Sequence, residues 1–493
     1  QVLHAAQTGI GTLPLVYFGT KEQKDRYLEK LATGTWVSAY ALTEAGSGSD
    51  ALAAKTRAVP TDDGEHYVLN GEKKFITNAG IADLFTIFAQ VVDGDDLKFT
   101  AFLVERGQEG LSFGAEEKKM GFKGSSTRTV VLQDVKVPKD NVLGEIGRGH
   151  VIAFNILNVG RFKLAAGSVG GGIDAILSAT RYAKQRHQFG KPLTDFGMIR
   201  HKIGEAAARC FAARSMVYRT AGYIDQNIAT LDHDEDDYYR KVIEVGIQEY
   251  AVECSMMKVL GTEVLDYCVD EEVQIHGGYG YIAEYGAERH YRDSRINRIW
   301  EGTNEINRLV ILGELMKKAM KGDLPLFAKA KELLDELMGF PSLDEDDDDA
   351  FLAEEARLVA KAKKAVLLAV GTAAQNRGQK LRHDQEVLGL LADMMTDVYG
   401  MESCVLRTRK LDARGDADKA ETAAVFTRLF SFEAIRRIEK RAREVLSAVA
   451  EGDELMMTLA GLRRTVKHTP ANTVALRRAV ADVIVEREAW PFE

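Results

Sequence analysis

The chain has 493 residues, 45% hydrophobic and 28% charged, with a net charge of -9 and a pI near 5.7; this is globular composition, long enough for two to four domains. The acidic balance excludes a nucleic-acid partner gripped mainly through phosphates, which needs basic surface, and no stretch reaches the roughly 18 to 20 apolar residues of a membrane span. Four cysteines, Cys210, Cys254, Cys268 and Cys404, are scattered without a CxxC pair, so neither a disulfide framework nor a thiolate zinc site is implied and a reducing compartment is expected.

The chain opens at Gln1 with no Met and no signal-peptide pattern, as a fragment would. Residues 1–35 read as the end of a helical domain, with an amphipathic turn at Lys21 to Leu28 closed by Gly34. From Trp36 the period becomes that of strands, at 36–42, 55–59, 66–77, 84–90, 100–104 and 129–137. Asn70-Gly71 gives a two-residue hairpin signal and Pro138 closes the last run, so 36–140 is expected to be an antiparallel β domain. Helical periodicity returns after Gly149, over about 150–185, 198–228, 236–271 and 304–320, with the lengths of an antiparallel bundle filling 141–320. The acidic stretch 232–237 reads as a solvated loop between helices, and no metal is assigned.

Residues 321–350 hold Pro325, Pro341 and the run Glu345 to Asp349, a linker by composition, with one short amphipathic helix expected over 326–340. From 351 to 493 the chain is Ala-, Leu- and Arg-rich and reads as a helical extension. Its basic run at 436–443 is interleaved with Glu433, Glu439 and Glu444, which makes it a charged helix face. The fold class is α+β multidomain.

Four stretches carry chemistry. In Arg298-Ile299-Trp300-Glu301-Gly302-Thr303-Asn304-Glu305 a carboxylate stands between a large aromatic and a Gly-Thr step at a helix start. Taken alone, decoration of the helix start is as good a reading as catalysis. Tyr40 to Asp50 offers small residues and the hydroxyls of Thr43 and Ser49 directly after a strand, suited to a phosphate or a polar ring edge, yet it is neither GxGxxG nor a P-loop. Phe75-Ile76-Thr77-Asn78 ends a strand with an aromatic and a hydroxyl two residues apart, hence on one face. Gln274-Ile275-His276-Gly277-Gly278-Tyr279-Gly280-Tyr281 allows close backbone approach to a ligand, with His276 read as a packed or surface histidine.

Together these resemble the acyl-CoA dehydrogenase family. The resemblance runs along Ala41 to Ala53 and Gln274 to Asp293, including Glu284, Arg289 and Asp293, and through Met120 to Arg128 and Arg186-His187-Gln188-Phe189-Gly190-Lys191-Pro192-Leu193, covering roughly 1–320. It implies a partly missing helical domain, a β domain and a four-helix domain binding FAD, followed here by the extra C-terminal helical domain. By this resemblance Tyr40, Leu42, Thr43 and Ser49 line flavin and phosphate, and Phe75 and Thr77 lie against the flavin ring. Thr303 and Glu305 face the same cofactor, while Arg186, Phe189, Gln274, Gly277 and Gly278 serve the adenine and pyrophosphate of a second subunit's FAD. Glu301 becomes the base that takes a thioester α-proton, its own N-H donating to the carbonyl oxygen, with Ser49, Arg161, Trp300 and Gly302 on the substrate.

The extension resembles that of the very-long-chain branch, which implies long-chain acyl-CoA as substrate, β-oxidation as its setting, an electron-transferring flavoprotein as acceptor and a homodimer. Gly197 replaces a glutamine that tetrameric members supply to a neighbour's flavin, and a tunnel-floor glutamate of medium-chain members falls on Ala6. Peripheral membrane contact is expected at most, because the acidic run 344–349 is repelled by anionic lipid. The setting implied is a bacterial cytoplasm, or the mitochondrial matrix side for a eukaryotic source. An acyl-CoA oxidase, or an assembly factor on the same fold, is the competing expectation.

Overall fold

The structure is a computed structural model describing residues 2–235, 237–338 and 350–492. Of the linker expected over 321–350, residues 339–349, which include the acidic run Glu345 to Asp349 and the end of the helix expected over 326–340, lie outside the described residues. The chain divides into two compact units, Gln1–Lys163 with Tyr223–Tyr250 and Trp300–Thr303, and Leu164–Gly222 with Ala251–Ile299 and Asn304–Glu493.

In the first unit, α1 (Val2–Ala6), a π-helical turn, α2 (Leu13–Phe18) and α3 (Lys21–Ala32) precede a sheet. The capping box of Thr20 and Gln23 starts α3, each side chain bonding the other's main-chain N-H. The sheet holds β1 (Ser38–Ala41), β2 (Arg57–Pro60), β3 (His66–Thr77), β4 (Leu84–Asp93), β5 (Asp96–Glu105), β6 (Leu111–Phe113), β7 (Thr127–Pro138) and β8 (Val142–Leu143). Their order is β6, β7, β3, β2, β4, β5, β8, with β1 also on β4. Most pairings are antiparallel as expected, but β1 and β2 both run parallel to β4.

Strand β4 shows why the sheet is central. Its apolar run is buried on both faces: Phe85, Ile87 and Ala89 enter one core with Phe102 and Val104, while Leu84 and Phe88 enter another. That second core contains Leu15, Tyr27 and Leu31 from α2 and α3, and Ile152, Ala153 and Ile156 from α4 (Gly149–Gln185). Each fully buried aromatic contributes about 1.5–3 kcal/mol.

The Asn70-Gly71 hairpin does not form. Instead β3 runs straight through with a register shift beside Gly71, and Asn70 exchanges two 2.9 Å hydrogen bonds with Asp134 of β7. The tight turn lies at Gly94-Asp95, where Asp93 pairs with Asp96 and Gly94 has φ +61°. Asn70-Gly71 makes a poor loop here because both flanks continue to pair with β7.

The end of α5 (Gly197–Ile228), α6 (Tyr238–Lys241) and a π-helical stretch, Val242–Gln248, complete the first unit, so the helix expected over 236–271 is broken. The second unit takes the rest of α4 and α5, the hairpin of β9 (His187–Gln188) and β10 (Lys191–Pro192), α7 (Ala251–His276), α8 (Gly278–Tyr281) and α9 (Ala287–Ser294). Next come α10 (Asn304–Lys321) and α11 (Leu326–Met338), which buries Ala330 and Leu333 and pairs Glu336 with Lys364. The extension supplies α12 (Ala353–Arg377), α13 (Gln385–Ala413), α14 (Ala417–Val449), α15 (Gly452–Thr465) and α16 (Thr473–Arg487). Among the described residues no helix is long and apolar enough to cross a membrane.

Candidate active site

Residues 300–303 are a short excursion: the chain on either side belongs to the second unit, these four to the first. Glu301 and Gly302 stand at φ +56° and +78°. A left-handed glutamate costs on the order of 1–3 kcal/mol, a strain that persists where the surroundings over-determine it. Those surroundings are visible. Arg161 of α4, 6% exposed, donates from Nε to the Glu301 main-chain oxygen at 3.1 Å and from Nη1 to Asn158 Oδ1 at 2.8 Å. Trp300 stacks on Phe122 with centroids 5.6 Å apart, and Phe122 is itself left-handed at φ +46°.

The Glu301 side chain lies flat on α4 at Gly160. A Cβ built there falls 2.4 Å from Oε2, 2.6 Å from Cδ and 2.9 Å from Oε1, so only glycine leaves room for the carboxylate. Oε2 is buried. Tyr40 closes another side, its ring 5.1 Å from Phe88 and its hydroxyl donating to Ala153 O at 3.3 Å. Burial first, and then the Glu301 carboxylate, push the Tyr40 hydroxyl well above the usual phenol range, so it stays protonated.

The loop after Tyr40 is held from beneath. Glu44 accepts from Lys73 Nζ at 2.7 Å, from the Lys55 and Thr56 N-H groups and from Thr56 Oγ1, while Lys73 also reaches Leu42 O at 3.3 Å. Both partners fall in pKa, for different reasons. Burial alone would raise Glu44, but Lys73, the Thr56 hydroxyl and the main-chain donors outweigh it; burial depresses Lys73, which has only one carboxylate in opposition. Leu42 is buried in the second core, Thr43 is half-buried with its carbonyl taken by Lys74 N, and Ser49 is exposed. Phe75 is 64% exposed at φ +58°, at a register shift between Lys73 and Ile76. The bulge breaks the alternation on which a shared face for Phe75 and Thr77 was expected; Thr77 is half-buried and pairs with Thr127.

These residues fit the expected flavin. Phe75 offers an apolar platform in the open and Ser49 an exposed hydroxyl; Trp300, expected on the substrate, holds its Nε1 as a buried donor with no partner among the described residues.

The remaining expected residues lie in the second unit. Phe189 and Gly190 form the two-residue turn of the β9–β10 hairpin, both left-handed, which leaves the Phe189 ring 93% exposed. Arg186, Gln188, His276, Gly277, Gly278 and Tyr279 border one open cleft of about 440 Å³, and exposed Gln274 on α7 immediately precedes Ile275 of its lining. His276 is packed, stacked 4.2 Å from Tyr182 with Nδ1 2.8 Å from Glu272 O. Glu305 is exposed on the first turn of α10, Thr303 immediately precedes that helix, and Gly197 opens α5 facing Arg478 of α16. Sequence reasoning missed Gly160, Asn158, Glu44 and Lys73. A glycine beside an arginine in mid-helix, and a lysine inside a strand that is otherwise half-buried, were the available signals.

The sequence matches the descriptions "Acyl-CoA dehydrogenase, N-terminal domain" over residues 1–35, "middle domain" over 39–135 and "C-terminal domain" twice, over 147–316 and 361–464. A probable acyl-CoA dehydrogenase of Bacillus subtilis is 51% identical over 487 residues, 99% of this chain and 81% of that protein. The human mitochondrial very long-chain specific acyl-CoA dehydrogenase is 41% identical over 312 residues, 62% of this chain and 45% of that protein, so the chain spans less than half of it. The crystal structure of an acyl-CoA dehydrogenase complexed with FAD from Bacillus anthracis superposes with a TM-score of 0.94 at 50% identity, covering 99% of this chain and 82% of that one.

Proposed function

The chain belongs to the acyl-CoA dehydrogenase family, and from that premise we propose that it dehydrogenates long-chain acyl-CoA thioesters to trans-2-enoyl-CoA with Glu301 as the base. It is an FAD-dependent oxidoreductase. FAD, when bound, supplies the acceptor for the β-hydrogen. The chain's own residues do the rest. A thioester α-proton is only weakly acidic, so a carboxylate removes it only when the carbonyl is polarised as enolate character develops. Glu301 serves both needs, with its carboxylate as base and its N-H as donor to the carbonyl oxygen. Arg161 fixes the 301–302 peptide by holding the Glu301 carbonyl at 3.1 Å, and so fixes the direction of the side chain. Trp300 and Phe122, stacked at 5.6 Å, wall the acyl thioester and exclude water.

The single observation that carries this reading is the Glu301 carboxylate seated on Gly160, its main chain held left-handed and its Oε2 buried. An exposed acidic residue decorating a helix start needs none of this. The same reading takes Arg186, Phe189, Gln274, Gly277 and Gly278 as the reception site for a second subunit's FAD, in a homodimer. It takes an electron-transferring flavoprotein as the acceptor, fatty acid β-oxidation in a bacterial cytoplasm as the setting, and peripheral contact as the limit of any membrane association. Mixing the purified protein anaerobically with saturated acyl-CoAs of graded length tests it. Flavin bleaching that is fastest with long chains and yields 2-enoyl-CoA is expected, and no bleaching with any of them overturns the reading.

A further inference from the structure

Asn304 follows Glu301 by three residues and begins α10; it is 2% exposed and its side chain is fully engaged. Its Oδ1 accepts from Lys258 Nζ at 2.7 Å; its Nδ2 donates to Thr262 Oγ1 and to Glu263 Oε1, each at 3.1 Å. One turn further along α10, Arg308 donates to the same Glu263 oxygen at 2.8 Å and, through Nε, to Asp393 Oδ1 at 2.7 Å. Asp393 belongs to α13, in the C-terminal extension. Its other oxygen is 3.5 Å from Arg441 of α14, which also bonds Asp397 at 2.6 Å, and Asp397 accepts the fork of Arg437. Charged hydrogen bonds therefore join α13 to the first residue of the helix from which the Glu301 loop hangs, and the 3.5 Å ion pair of Asp393 with Arg441 brings in α14.

We propose that Asp393 is a positioning residue for the Glu301 base, acting through Arg308, Glu263 and Asn304, so that the extension sets the geometry of the reaction. The inference rests on the reading of Glu301 as base. Its physical core is competition for one oxygen. Glu263 Oε1 is shared between Asn304 and Arg308, and Arg308 divides its attraction between Glu263 and Asp393. Without the Asp393 charge the guanidinium falls wholly on Glu263 and draws that carboxylate from Asn304, loosening the first turn of α10. Burial opposes the charges of Arg308 and Asp393, yet the flanking carboxylates hold Arg308 above its ordinary pKa, which keeps the guanidinium a strong competitor.

The test compares wild type, Asp393→Asn, Asp393→Glu and Glu301→Gln as full-chain holoproteins. Three quantities are measured: FAD content, affinity for a non-oxidisable thioether analogue of acyl-CoA, and the limiting rate of anaerobic flavin reduction. A fraction of an ångström at a reacting atom costs about tenfold in rate. Asp393→Asn is therefore expected to lose about tenfold in limiting rate, with FAD content retained and analogue affinity changed less than about threefold; Asp393→Glu should recover most of the rate. An unchanged rate in Asp393→Asn overturns the inference, as does a loss of affinity and FAD in proportion to the rate, which marks a purely structural residue. If Asp393→Asn does not fold, Arg308→Lys and Asn304→Ala are judged by the same criteria. Glu301→Gln separates the two claims. If it reduces flavin normally, the base reading has failed; if it is inactive while Asp393→Asn is normal, only the positioning role has failed.

Discussion

Replacing Gly160 by alanine probes the seat of the Glu301 carboxylate without touching the carboxylate itself. The new Cβ falls 2.4 Å from Oε2, whereas ordinary contact begins at 3.4 Å, so the oxygen must retreat by about 1 Å. The atoms in the way are the far end of a flexible side chain, so the strain enters its torsions rather than the backbone of α4. Alanine also favours a helix interior over glycine by about 0.8–1 kcal/mol, so the variant should fold at least as well as the parent. A misplacement of about 1 Å at a reacting group costs on the order of 100-fold, or about 2.7 kcal/mol of barrier. Stopped-flow flavin reduction under anaerobic conditions, alongside FAD content and thermal unfolding, reads all three effects. The expected result is a holoprotein of unchanged or raised Tm whose limiting rate falls about 100-fold. A Gly160→Ala variant that reduces its flavin within twofold of the parent rate would refute the reasoning.

The loop after Tyr40 and the segment before β7 give two more predictions. Glu44→Gln strips the carboxylate from buried Lys73, whose side chain is 0% exposed, and leaving a buried charge uncompensated costs about 3–5 kcal/mol. Chemical unfolding should show a loss of that order together with easier release of FAD; a loss under about 1 kcal/mol with FAD held as tightly contradicts the role given to the pair. Glu116 is bonded by Arg128 Nε, Ser126 Oγ and Thr127 N-H, which together outweigh its desolvation and hold its pKa at about 2 against an ordinary 4.5. A depressed carboxylate lends stability above its unfolded value and loses it as pH falls through the folded value, so this clamp should open between about pH 4.5 and 2. Hydrogen exchange in residues 117–126 should therefore accelerate across that window in the parent and be fast above it in Glu116→Gln, and protection independent of pH in the parent argues against the clamp.

Much of the fold was legible because it rests on local periodicity. The strand expected at 84–90 is found at Leu84–Asp93, where six of the first eight residues are apolar. The helices expected at 150–185, 198–228 and 304–320 are found at Gly149–Gln185, Gly197–Ile228 and Asn304–Lys321. Legibility failed where pairing overrides local preference. Asn70-Gly71 is a good turn in isolation, but Asn70 clamps Asp134 across β7 and the turn forms at Gly94-Asp95 instead. The motif around Glu301 could be singled out by residue type, yet not its seat: Gly160 lies 141 residues earlier, and no spacing rule relates a helix glycine to a distant carboxylate. The same holds for Asp393, whose link to Asn304 runs through three helices.

The most direct test of the central claim is single-turnover flavin reduction in Glu301→Gln. Glutamine matches glutamate in shape, leaves the left-handed main chain and the N-H proposed to donate to the thioester carbonyl, and removes only the ability to accept a proton. The account predicts that the variant retains FAD and binds long-chain acyl-CoA with near-parental affinity, while flavin reduction by saturated substrate slows by several orders of magnitude. Reduction at the parental rate would contradict it.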